Sequence, residues 1–314
     1  MSISAEIFVL NYNGRDLLIE CLPSILAAAA QSPVPCPVTV IDNQSTDDSL
    51  DVLKKQFPDA RIYISPKNTV LCAFNEAVRQ SSSDIVILLN SDLKADPGFV
   101  APLLKVFEDH PDAFMAGPRT FTFDGLQYEG SLSKLFFCYG LPGAQSRFAG
   151  FEKKIDRPGL TMQSGFGAFH RDRFLELGGY DDLYLPGTVE DVDICWRAWK
   201  AGYACYYAPE SRMSHKGQAT FRKNFSRSRI LAVNQRNLYL FTWKNISDPG
   251  LILRHLVWFL IRPLWFLLQG RFEFAWGCAW AFSRLGEALK KRSMVKKVPA
   301  RRSDREILNI SRAI

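Results

Sequence analysis

Acidic side chains stand at three places in this sequence where an apolar segment ends or an amphipathic one begins. Asp42 closes the stretch VTVID, and Asp92 comes directly after IVILLNS. Glu190, Asp191 and Asp193 open the third segment, VEDVDICWRAWKAG. Carboxylates in such positions can accept a hydrogen bond from a ligand, bind a divalent cation or act as a general base. These residue types therefore indicate a reaction that uses a bound metal ion, a general base or both.

Asp42 can be interpreted in two ways. Its carboxylate could accept the imide N–H of a pyrimidine base, with Asn11 and Tyr12 flanking the same base from the end of the first apolar segment. The alternative is that DNQSTD is a polar turn that caps the next helix, because Asp and Asn often have that role. The residues alone leave both possibilities open.

Asp92 follows two short polar residues, Asn90 and Ser91. Such a carboxylate can hold a hard cation that bridges two phosphates and neutralises a diphosphate leaving group. An Asx turn before the helix that follows Pro97 explains it equally well. His215, after the last apolar segment, is a candidate ligand, although a lone histidine is more often structural.

The acidic run at 190–193 holds more carboxylates than a helix start requires. Acids in a first turn interact favourably with the helix dipole, which accounts for any one of them. Three acids in four residues exceed that need, and Trp196 and Trp199 lie close by in the sequence. One of these acids could be a general base.

Strands alternate with helices through the first half of the chain, which predicts an α/β fold with a parallel, doubly wound sheet. Strands are predicted at 6–11, 38–42, 61–65, 85–89 and 113–117, and helices at 15–30, 48–56, 71–80 and after Pro97. In such sheets ligands bind beyond the carboxyl ends of the strands, where Asp42 and Asp92 stand.

The later part of the chain is less regular. We expect residues 120–160 to be irregular and to contribute to an acceptor site or a lid. A single strand is predicted at 160–170, followed by a short helix, a helix at 189–202 and a strand at 203–209. Five cations lie in 221–241, for which a solvated helix face is the favoured interpretation and a mobile cover over a diphosphate the alternative. They are Arg222, Lys223, Arg227, Arg229 and Arg236.

Charge is unevenly distributed along the 314 residues. Residues 251–314 carry 13 Lys and Arg against 4 Asp and Glu, which leaves 26 against 28 in residues 1–250. This favours a tail that meets an anionic membrane surface and argues against nucleic acid as a partner. Seven cysteines without a CxxC pair predict reduced thiols and a cytoplasmic protein. No signal peptide is expected from MSISAEIFVL.

The tail begins with LILRHLVWFLIRPLWFLLQG, whose length suggests a membrane span. Arg254 and Arg262 would each cost about 3 kcal/mol near the bilayer centre. Arginine and tryptophan share one stripe of this helix, which favours a helix lying in the interface. The stripe consists of Arg254, Trp258, Arg262, Trp265 and Gln269. The basic segment 290–302 would add an electrostatic anchor. We therefore divide the chain into a domain at 1–245 and a basic, amphipathic helical tail at 246–314.

Taken together and in order, several motifs resemble the family 2 glycosyltransferases of the GT-A fold, especially their rhamnosyltransferase-like bacterial branch. They are VLNYNG, VIDNQSTDDS, KN followed by AFNEAV, IVILLNSD, GGYDDLYLPGTVEDVDICWRAWKAGY and MSHKG. The resemblance covers about residues 5–245 and implies a mostly parallel nucleotide-binding sheet flanked by helices.

The resemblance also implies roles for individual residues. Asp191 would be the catalytic base, and Glu190 would support the base or the acceptor, with Trp196 beside it. Mg²⁺ or Mn²⁺ would be held by Asp92 and His215. The remaining matched positions would bind the donor: Asn11, Tyr12, Asn13, Asp42, Lys67, Asn68, Asn90, Ser91 and Asp92. Asp193 would orient the helix.

The function implied is an inverting transfer of a sugar, with rhamnose as a candidate, from a nucleoside-diphosphate sugar to a glycan or lipid-linked acceptor in cell-surface polysaccharide synthesis. The enzyme would work on the inner face of the cell membrane. The alternative is a catalytically silent scaffold of the same fold. A Rossmann oxidoreductase is disfavoured because no GxGxxG follows the first strand.

Two positions depart from the family pattern. Thr69, Val70 and Leu71 follow Asn68, where a Gly-Phe pair is common in the family. A glycine there allows close approach of the backbone to the donor, so we expect Val70 to alter the donor pocket. His170 stands where an aliphatic residue is usual.

Overall fold

The computed structural model of the chain describes residues 3–217 and 225–314, and its centre is a ten-stranded sheet. The strands are β1 (Ala5–Asn11), β2 (Val38–Asp42), β3 (Arg61–Ile64), β4 (Ile85–Asn90), β5 (Leu93–Ala95), β6 (Ala113–Thr122), β7 (Tyr128–Gly130), β8 (Lys134–Cys138), β9 (Leu141–Gln145), β10 (Gly159–Leu160), β11 (Gly167–His170) and β12 (Ala204–His215). All except β8 and β9 belong to the large sheet, and those two form a separate hairpin.

Helices cover the sheet and continue to the C-terminus. They are α1 (Arg15–Ala30), α2 (Ser49–Gln56), α3 (Ala73–Gln80), α4 (Val100–Asp109), α5 (Arg171–Glu176), α6 (Glu190–Ala201), α7 (Arg227–Asn245), α8 (Pro249–Leu268), α9 (Phe272–Ser283), α10 (Leu285–Val295) and α11 (Asp304–Ala313). Short 3₁₀ turns occur at Val70–Cys72, Phe151–Lys153 and Asp182–Tyr184.

The parallel part of the sheet aligns three of the predicted polar residues. β1 pairs in parallel with β2 and β4, and β2 with β3. The register places Asn11 opposite Asp42, and Leu10 opposite Asn90. Because parallel strands end at the same edge, their polar terminal residues lie side by side there. The predicted α/β fold with a mostly parallel sheet is confirmed.

The second half of the sheet mixes strand directions. β11 runs antiparallel between β4 and β6, while β6 and β12 are parallel. The prediction of one strand at 160–170 is wrong, because the backbone forms β10 and β11 with a loop between them that contains Gly165 and Phe166. Both residues of that loop line the cavity described below.

Residues 120–160 are also more ordered than expected. β7 lies there, and β8 and β9 form a hairpin whose turn residues Tyr139 and Gly140 both have positive φ, 48° and 75°. Two consecutive residues in the left-handed region give the turn that matches the twist of an antiparallel pair. The sequence YG carries this signal only weakly, because tyrosine is rare in such a turn.

Helices α7 to α11 pack against the rest of the molecule. Gly277 of α9 fits against α7 so closely that a Cβ would lie 2.7 Å from the Ala232 carbonyl oxygen. In the basic segment 290–302, Arg292 donates to the carbonyls of Trp243 and Ile246. Arg302 donates to the Tyr203 carbonyl at 2.6 Å. Part of the segment predicted as an electrostatic anchor is therefore used in internal contacts, and the division at residue 245 stays a prediction.

α8 is long and apolar enough to cross a membrane. The structure contradicts the expected orientation for two members of its arginine and tryptophan stripe, whereas Arg254, Trp265 and Gln269 are exposed. Trp258 packs edge-on against Tyr139, and Arg262 Nη1 donates to the Tyr139 carbonyl at 3.2 Å, so both face the protein. The exposed side of α8 is formed mainly by aliphatic residues.

Candidate active site

A cavity of about 610 Å³ opens at the carboxyl edge of the parallel strands. Tyr12, Asn68, Asn90, Ser91, Asp92, Glu190, Asp191 and His215 are the predicted site residues among those that line it. These residues come from five separate stretches of sequence. The fold therefore brings most of the predicted residues to one space.

Asn11 and Asp42 lie behind the cavity wall, almost fully buried at the ends of β1 and β2. Asp42 Oδ2 accepts a hydrogen bond from the Ser45 backbone N–H at 3.1 Å, and Asn11 Nδ2 donates to Ser45 Oγ at 3.2 Å. The other acceptors, Asp42 Oδ1 and Asn11 Oδ1, have no hydrogen bond from any described residue. Buried acceptors of this kind are costly unless a ligand or water supplies the missing donor.

The turn after β1 explains the glycine in VLNYNG. A Cβ on Gly14 would lie 2.5 Å from Asn11 Oδ1, so a side chain there would displace the asparagine. Asn13, with φ of 48°, accepts from the Thr46 N–H at 2.7 Å. Asn13 thus ties the β1 and β2 loops together, and it is Tyr12 that lines the cavity.

Asn43 is a site residue that the sequence interpretation missed. It is 1% exposed, and its side chain donates to Asn68 Oδ1 at 3.1 Å and accepts from the Thr69 N–H at 3.2 Å. This holds the loop that follows β3 against the end of β2. Lys67, predicted to bind the donor, is exposed and lines a different cleft, so the structure does not bring it to this cavity.

Val70 adopts φ of 50°, a conformation that L side chains rarely adopt and that is most unusual for a β-branched residue. It lines the cavity at the position where the family commonly has glycine. The backbone therefore keeps the conformation that glycine permits although the side chain differs. The valine side chain thus forms a part of the cavity wall that a glycine would leave without a side chain.

Asp92 and His215 lie together, with 3.5 Å between Asp92 Oδ2 and His215 Nε2. The other imidazole nitrogen, Nδ1, is 3.1 Å from Glu129 Oε2 on β7. Burial alone would lower the pKa of His215, but the carboxylates of Asp92 and Glu129 outweigh it and raise the pKa to about 9. Phe166 covers the ring edge-on at 5.2 Å. Glu129 lay in the region expected to be irregular, so its role could not be predicted.

A divalent cation fits this position. Asp92 is 8% exposed, and its Oδ1 has no partner among the described residues, which leaves one carboxylate oxygen available to a ligand. Within residues 3–217 and 225–314, no group of three His, Cys, Asp or Glu side chains forms a preformed metal cage. Mg²⁺ is commonly held by one or two protein ligands together with substrate phosphates, so two ligands suffice for such a site.

Glu190 and Asp191 begin α6 and line the same cavity. Burial, followed by the charge of Asp191, raises the pKa of Glu190 to about 8. Burial also raises the pKa of Asp191. Glu190 Oε2 is buried without a hydrogen bond from the described residues. A pair with raised pKa values in a cleft can divide the roles of proton donor and base.

The loop before α6 is strained. Thr188 and Val189, both β-branched, have φ of 72° and 74°. Asn237 on α7, which is fully buried, donates from Nδ2 to the carbonyls of Tyr184, Gly187 and Thr188 at 2.8 to 2.9 Å. Strained backbone persists only where surrounding contacts hold it, and it clusters at active sites. Asn237 supplies such contacts directly before the acidic pair.

Arg236 shows that α7 is not a solvated helix face. It is 1% exposed, donates to the Leu185 carbonyl and stacks over Trp280 at 4.0 Å. Burial and the charge of Arg284 lower its pKa to about 10. The preferred interpretation of 221–241 is therefore wrong for Arg236, although Arg227 and Arg229 are exposed. Arg222 and Lys223 lie outside the described residues.

Asp193 and Trp196 belong to the interior and not to the cavity. Asp193 accepts hydrogen bonds from Tyr184, Arg197 and Lys244, which holds α6 in place as expected. Trp196 is 2% exposed and packs edge-on against Phe241. The structure contradicts the expectation that Trp196 contacts an acceptor, because the ring completes the hydrophobic core beneath the site.

The comparisons with known proteins agree with this geometry. The family model described as glycosyl transferase family 2 matches residues 6–176. The chain belongs to this family. It is 25% identical over 279 residues to the N-acetylglucosaminyl-diphospho-decaprenol L-rhamnosyltransferase of Mycobacterium tuberculosis, with 80% of this chain and 85% of the relative covered. It is a nucleotide-sugar-dependent glycosyltransferase.

Two solved structures share its fold across nearly the whole chain. The first is S. aureus TarS 1-349 in complex with UDP-GlcNAc, with a TM-score of 0.57, 15% identity and coverage of 99% of this chain and 88% of that one. The second is the mannosyltransferase PcManGT from Pyrobaculum calidifontis in complex with GDP-Man and Mn²⁺, with a TM-score of 0.55, 14% identity and coverage of 95% and 79%. The expected GT-A fold is confirmed.

Proposed function

We propose that the protein is a metal-dependent, inverting hexosyltransferase that moves a sugar, with rhamnose as the first candidate, to a hydroxyl of a lipid-linked glycan precursor. The observation that carries this proposal is one cavity lined both by the half-buried acidic pair Glu190 and Asp191 and by the pair Asp92 and His215. The relative from Mycobacterium tuberculosis, named for L-rhamnosyl transfer to a diphospho-decaprenol acceptor, supports the sugar and the acceptor class.

The donor would bind along the carboxyl edge of β1, β2 and β4. Asp42 Oδ1 and Asn11 Oδ1 are buried acceptors that suit the N–H groups of a nucleobase. The ring of Tyr12 would flank the base, and Asn13 would hold the loop that carries Tyr12 against the loop after β2. Asn68, Asn90 and Ser91 would line the path toward the diphosphate.

Asp92 and His215 would hold Mg²⁺ or Mn²⁺ together with the phosphate oxygens, and His215 would release the proton that its raised pKa retains at neutral pH. When bound, the cation supplies positive charge that stabilises the departing diphosphate. Glu129 would orient His215 by accepting a hydrogen bond from Nδ1–H, so that Nε2 faces Asp92. Phe166 would exclude water from one edge of the imidazole.

Asp191 would act as the general base. A raised pKa makes its carboxylate a better proton acceptor than an exposed aspartate. As it takes the proton from the acceptor hydroxyl, the hydroxyl oxygen attacks the anomeric carbon, and the bond from that carbon to the diphosphate oxygen breaks. The electron pair leaves with the nucleoside diphosphate, which inverts the anomeric configuration. Glu190, protonated at neutral pH by its pKa of about 8, would donate a hydrogen bond to the acceptor.

The setting would be the inner face of the cell membrane, where donors are cytoplasmic and lipid-linked acceptors are anchored. The long apolar helix α8 and the excess of basic residues in 251–314 support association with an anionic bilayer.

Donor binding can be tested by thermal shift with UDP-, GDP- and dTDP-sugars in the presence of Mn²⁺. A ligand that binds only the folded state raises the melting temperature. We expect a shift with one nucleotide class, lost in Asp92→Asn and kept in the control Asp96→Asn, because Asp96 is exposed outside the cavity. No shift with any of these sugars, in protein shown to be folded, would overturn the donor-site assignment.

A further inference from the structure

One side of α8 leaves a continuous row of aliphatic side chains in solvent. Leu260, Leu264 and Leu268 are 72%, 64% and 88% exposed. Leu253, Leu256, Val257, Ile261 and Leu267 are exposed beside them. At 100° per residue these positions fall within an arc of roughly 140°. Single exposed apolar residues are ordinary, but a contiguous face of this size marks a binding surface.

The apolar surface continues past the turn after α8. Gly270, with φ of 69°, reverses the chain, and Phe272 and Trp276 of α9 are 66% and 51% exposed. The opposite side of α9, with Gly277, Cys278 and Ala281, is buried. Both helices are therefore held to the protein by one side and expose apolar residues on another.

The structure assigns this aliphatic face of α8, extended by Phe272 and Trp276, as the surface that docks onto an anionic lipid bilayer, with α8 lying flat in the interface. This deepens the proposed function, on whose membrane-bound acceptor it rests. It replaces Trp258 and Arg262 of the stripe as the membrane contact, while Arg254 and Trp265 are exposed beside the aliphatic face.

The contacts on the inner side of α8 exclude a spanning orientation for this helix in the folded protein. His255 Nδ1 lies 2.7 Å from the Gly140 carbonyl oxygen, and Trp243 Nε1 donates to His255 Nε2 at 2.8 Å. A Cβ on Gly140 would lie 2.7 Å from Trp258 Cβ, which shows how closely the β8–β9 turn meets the helix. A helix attached along its length to the protein can insert only its outer side.

Charge distinguishes a bilayer from a second copy of the chain. Residues 249–272 contain no acidic side chain, Glu273 is the single carboxylate between Phe272 and Trp276, and exposed Arg254 and Arg271 stand near the two ends of the α8 face. In a twofold dimer this surface would meet its own copy. The arginines of both copies would then lie in one interface, and residues 249–272 provide no carboxylate to pair with them. In a bilayer, anionic headgroups can pair with the two arginines while the acyl chains cover the aliphatic face.

Vesicle flotation tests the assignment. The probe is vesicles of phosphatidylglycerol and phosphatidylcholine at 3:7, without donor or acceptor. We expect the full chain to float with the vesicles, and Leu260→Gln/Leu264→Gln/Leu268→Gln to lose at least tenfold in partitioning. Leu126→Gln is the control, because Leu126 is 81% exposed on the turn between β6 and β7, outside α8 and α9, and its substitution should leave flotation unchanged. Bound protein should be released by alkaline carbonate, since a flat helix does not cross the bilayer.

Several results would overturn the assignment. One is failure of the full chain to float, and another is flotation of the triple variant equal to that of the full chain. A third is resistance of the bound protein to extraction by alkaline carbonate. The last is a dimer in sedimentation analysis that the triple substitution dissociates. A melting curve equal to that of the unsubstituted protein shows that the variant is folded. The nucleotide-sugar thermal shift is measured in parallel. Because it needs no membrane, loss of docking with an intact shift separates failure of this inference from failure of the proposed function.

Discussion

Glu129 Oε2 lies 3.1 Å from His215 Nδ1, while His215 Nε2 faces Asp92. The imidazole is thereby held between two carboxylates that come from distant parts of the chain. A carboxylate on one nitrogen fixes the ring orientation and makes the other nitrogen a better ligand. Glu129, on β7, is therefore added to the predicted metal site as the residue that orients His215.

Replacing Glu129 by glutamine should therefore weaken metal binding without unfolding the protein. We expect about a 10- to 100-fold loss in Mn²⁺ affinity in the presence of nucleoside diphosphate, as is usual when an outer partner of a ligating histidine is removed. Titration calorimetry measures it directly. Glu152→Gln is the matched control, because Glu152 is exposed outside the cavity. Equal affinities in the two variants would mean that Glu129 has no influence on His215 as a ligand.

Glu190 and Asp191 should respond differently to removal of their charge. Because the pKa of Glu190 is raised to about 8, Glu190 is mostly protonated at pH 7, and glutamine resembles that form. Asp191→Asn removes the proposed base, for which a loss of about 10²- to 10⁴-fold in turnover is expected. Glu190→Gln should cost much less at pH 7. Transfer rates of both variants with a hydroxyl acceptor provide the measurement, and thermal shift with donor should remain in both.

Two other outcomes would change the interpretation. If Glu190→Gln is as inactive as Asp191→Asn at pH 7, the assignment of base and supporting acid is wrong. If Asp191→Asn restores full function to cells that lack the protein, the alternative of a silent scaffold is favoured.

The motifs of the parallel strands could be predicted because local pattern and position suffice there. Asn11, Asp42 and Asn90 end apolar strands, and parallel strands end at one edge. Glu129 and Asn237 could not be predicted in the same way. Each contacts the site through tertiary packing, from β7 to His215 and from α7 to the loop before α6, and neither contact leaves a periodic signal in the sequence.

Trp196 and the α8 stripe show the opposite error. For Trp196 on α6 and for the stripe on α8, the sequence shows which residues share one side of the helix. Whether that side is buried depends on the elements that pack against it. Trp196 turns into the core, and Trp258 and Arg262 turn to the β8–β9 hairpin, whose presence the sequence interpretation missed. Helical periodicity defines a stripe but does not identify its partner.

Val70→Gly should stabilise the protein or leave its stability unchanged. The left-handed conformation costs an L residue about 1 to 2 kcal/mol, and glycine relieves that cost while losing about 0.5 to 1 kcal/mol in chain entropy. The net gain in the free energy of unfolding is therefore between 0 and about 1.5 kcal/mol. Val70→Ala keeps the unfavourable φ and removes side-chain contacts, so it should be less stable than the glycine variant. Urea unfolding of the three proteins measures the order, and alanine at or above glycine would contradict a strained backbone.

His255 should make stability fall at acidic pH. Its buried imidazole is neutral, because Nε2 accepts from Trp243 and Nδ1 donates to Gly140, and burial lowers its pKa below the ordinary value of 6.5. Above about pH 6.5 both the folded and the unfolded states carry a neutral His255, so this contribution is constant. Below it the unfolded state binds the proton first, so the free energy of unfolding decreases as pH falls toward the folded-state pKa.

NMR titration of the four histidine rings measures the pKa of His255 in the folded protein, and urea unfolding at pH 5.5, 6.5 and 7.5 measures the stability. His255→Gln serves as the comparison, because it lacks the titrating group while keeping polar atoms near Gly140 and Trp243. The stability difference between the unsubstituted protein and this variant should shrink as pH falls from 6.5 to 5.5. A difference that is constant or grows, or a His255 ring that titrates above 6.5, would show that the imidazole is not the neutral link that holds α8 to the β8–β9 turn.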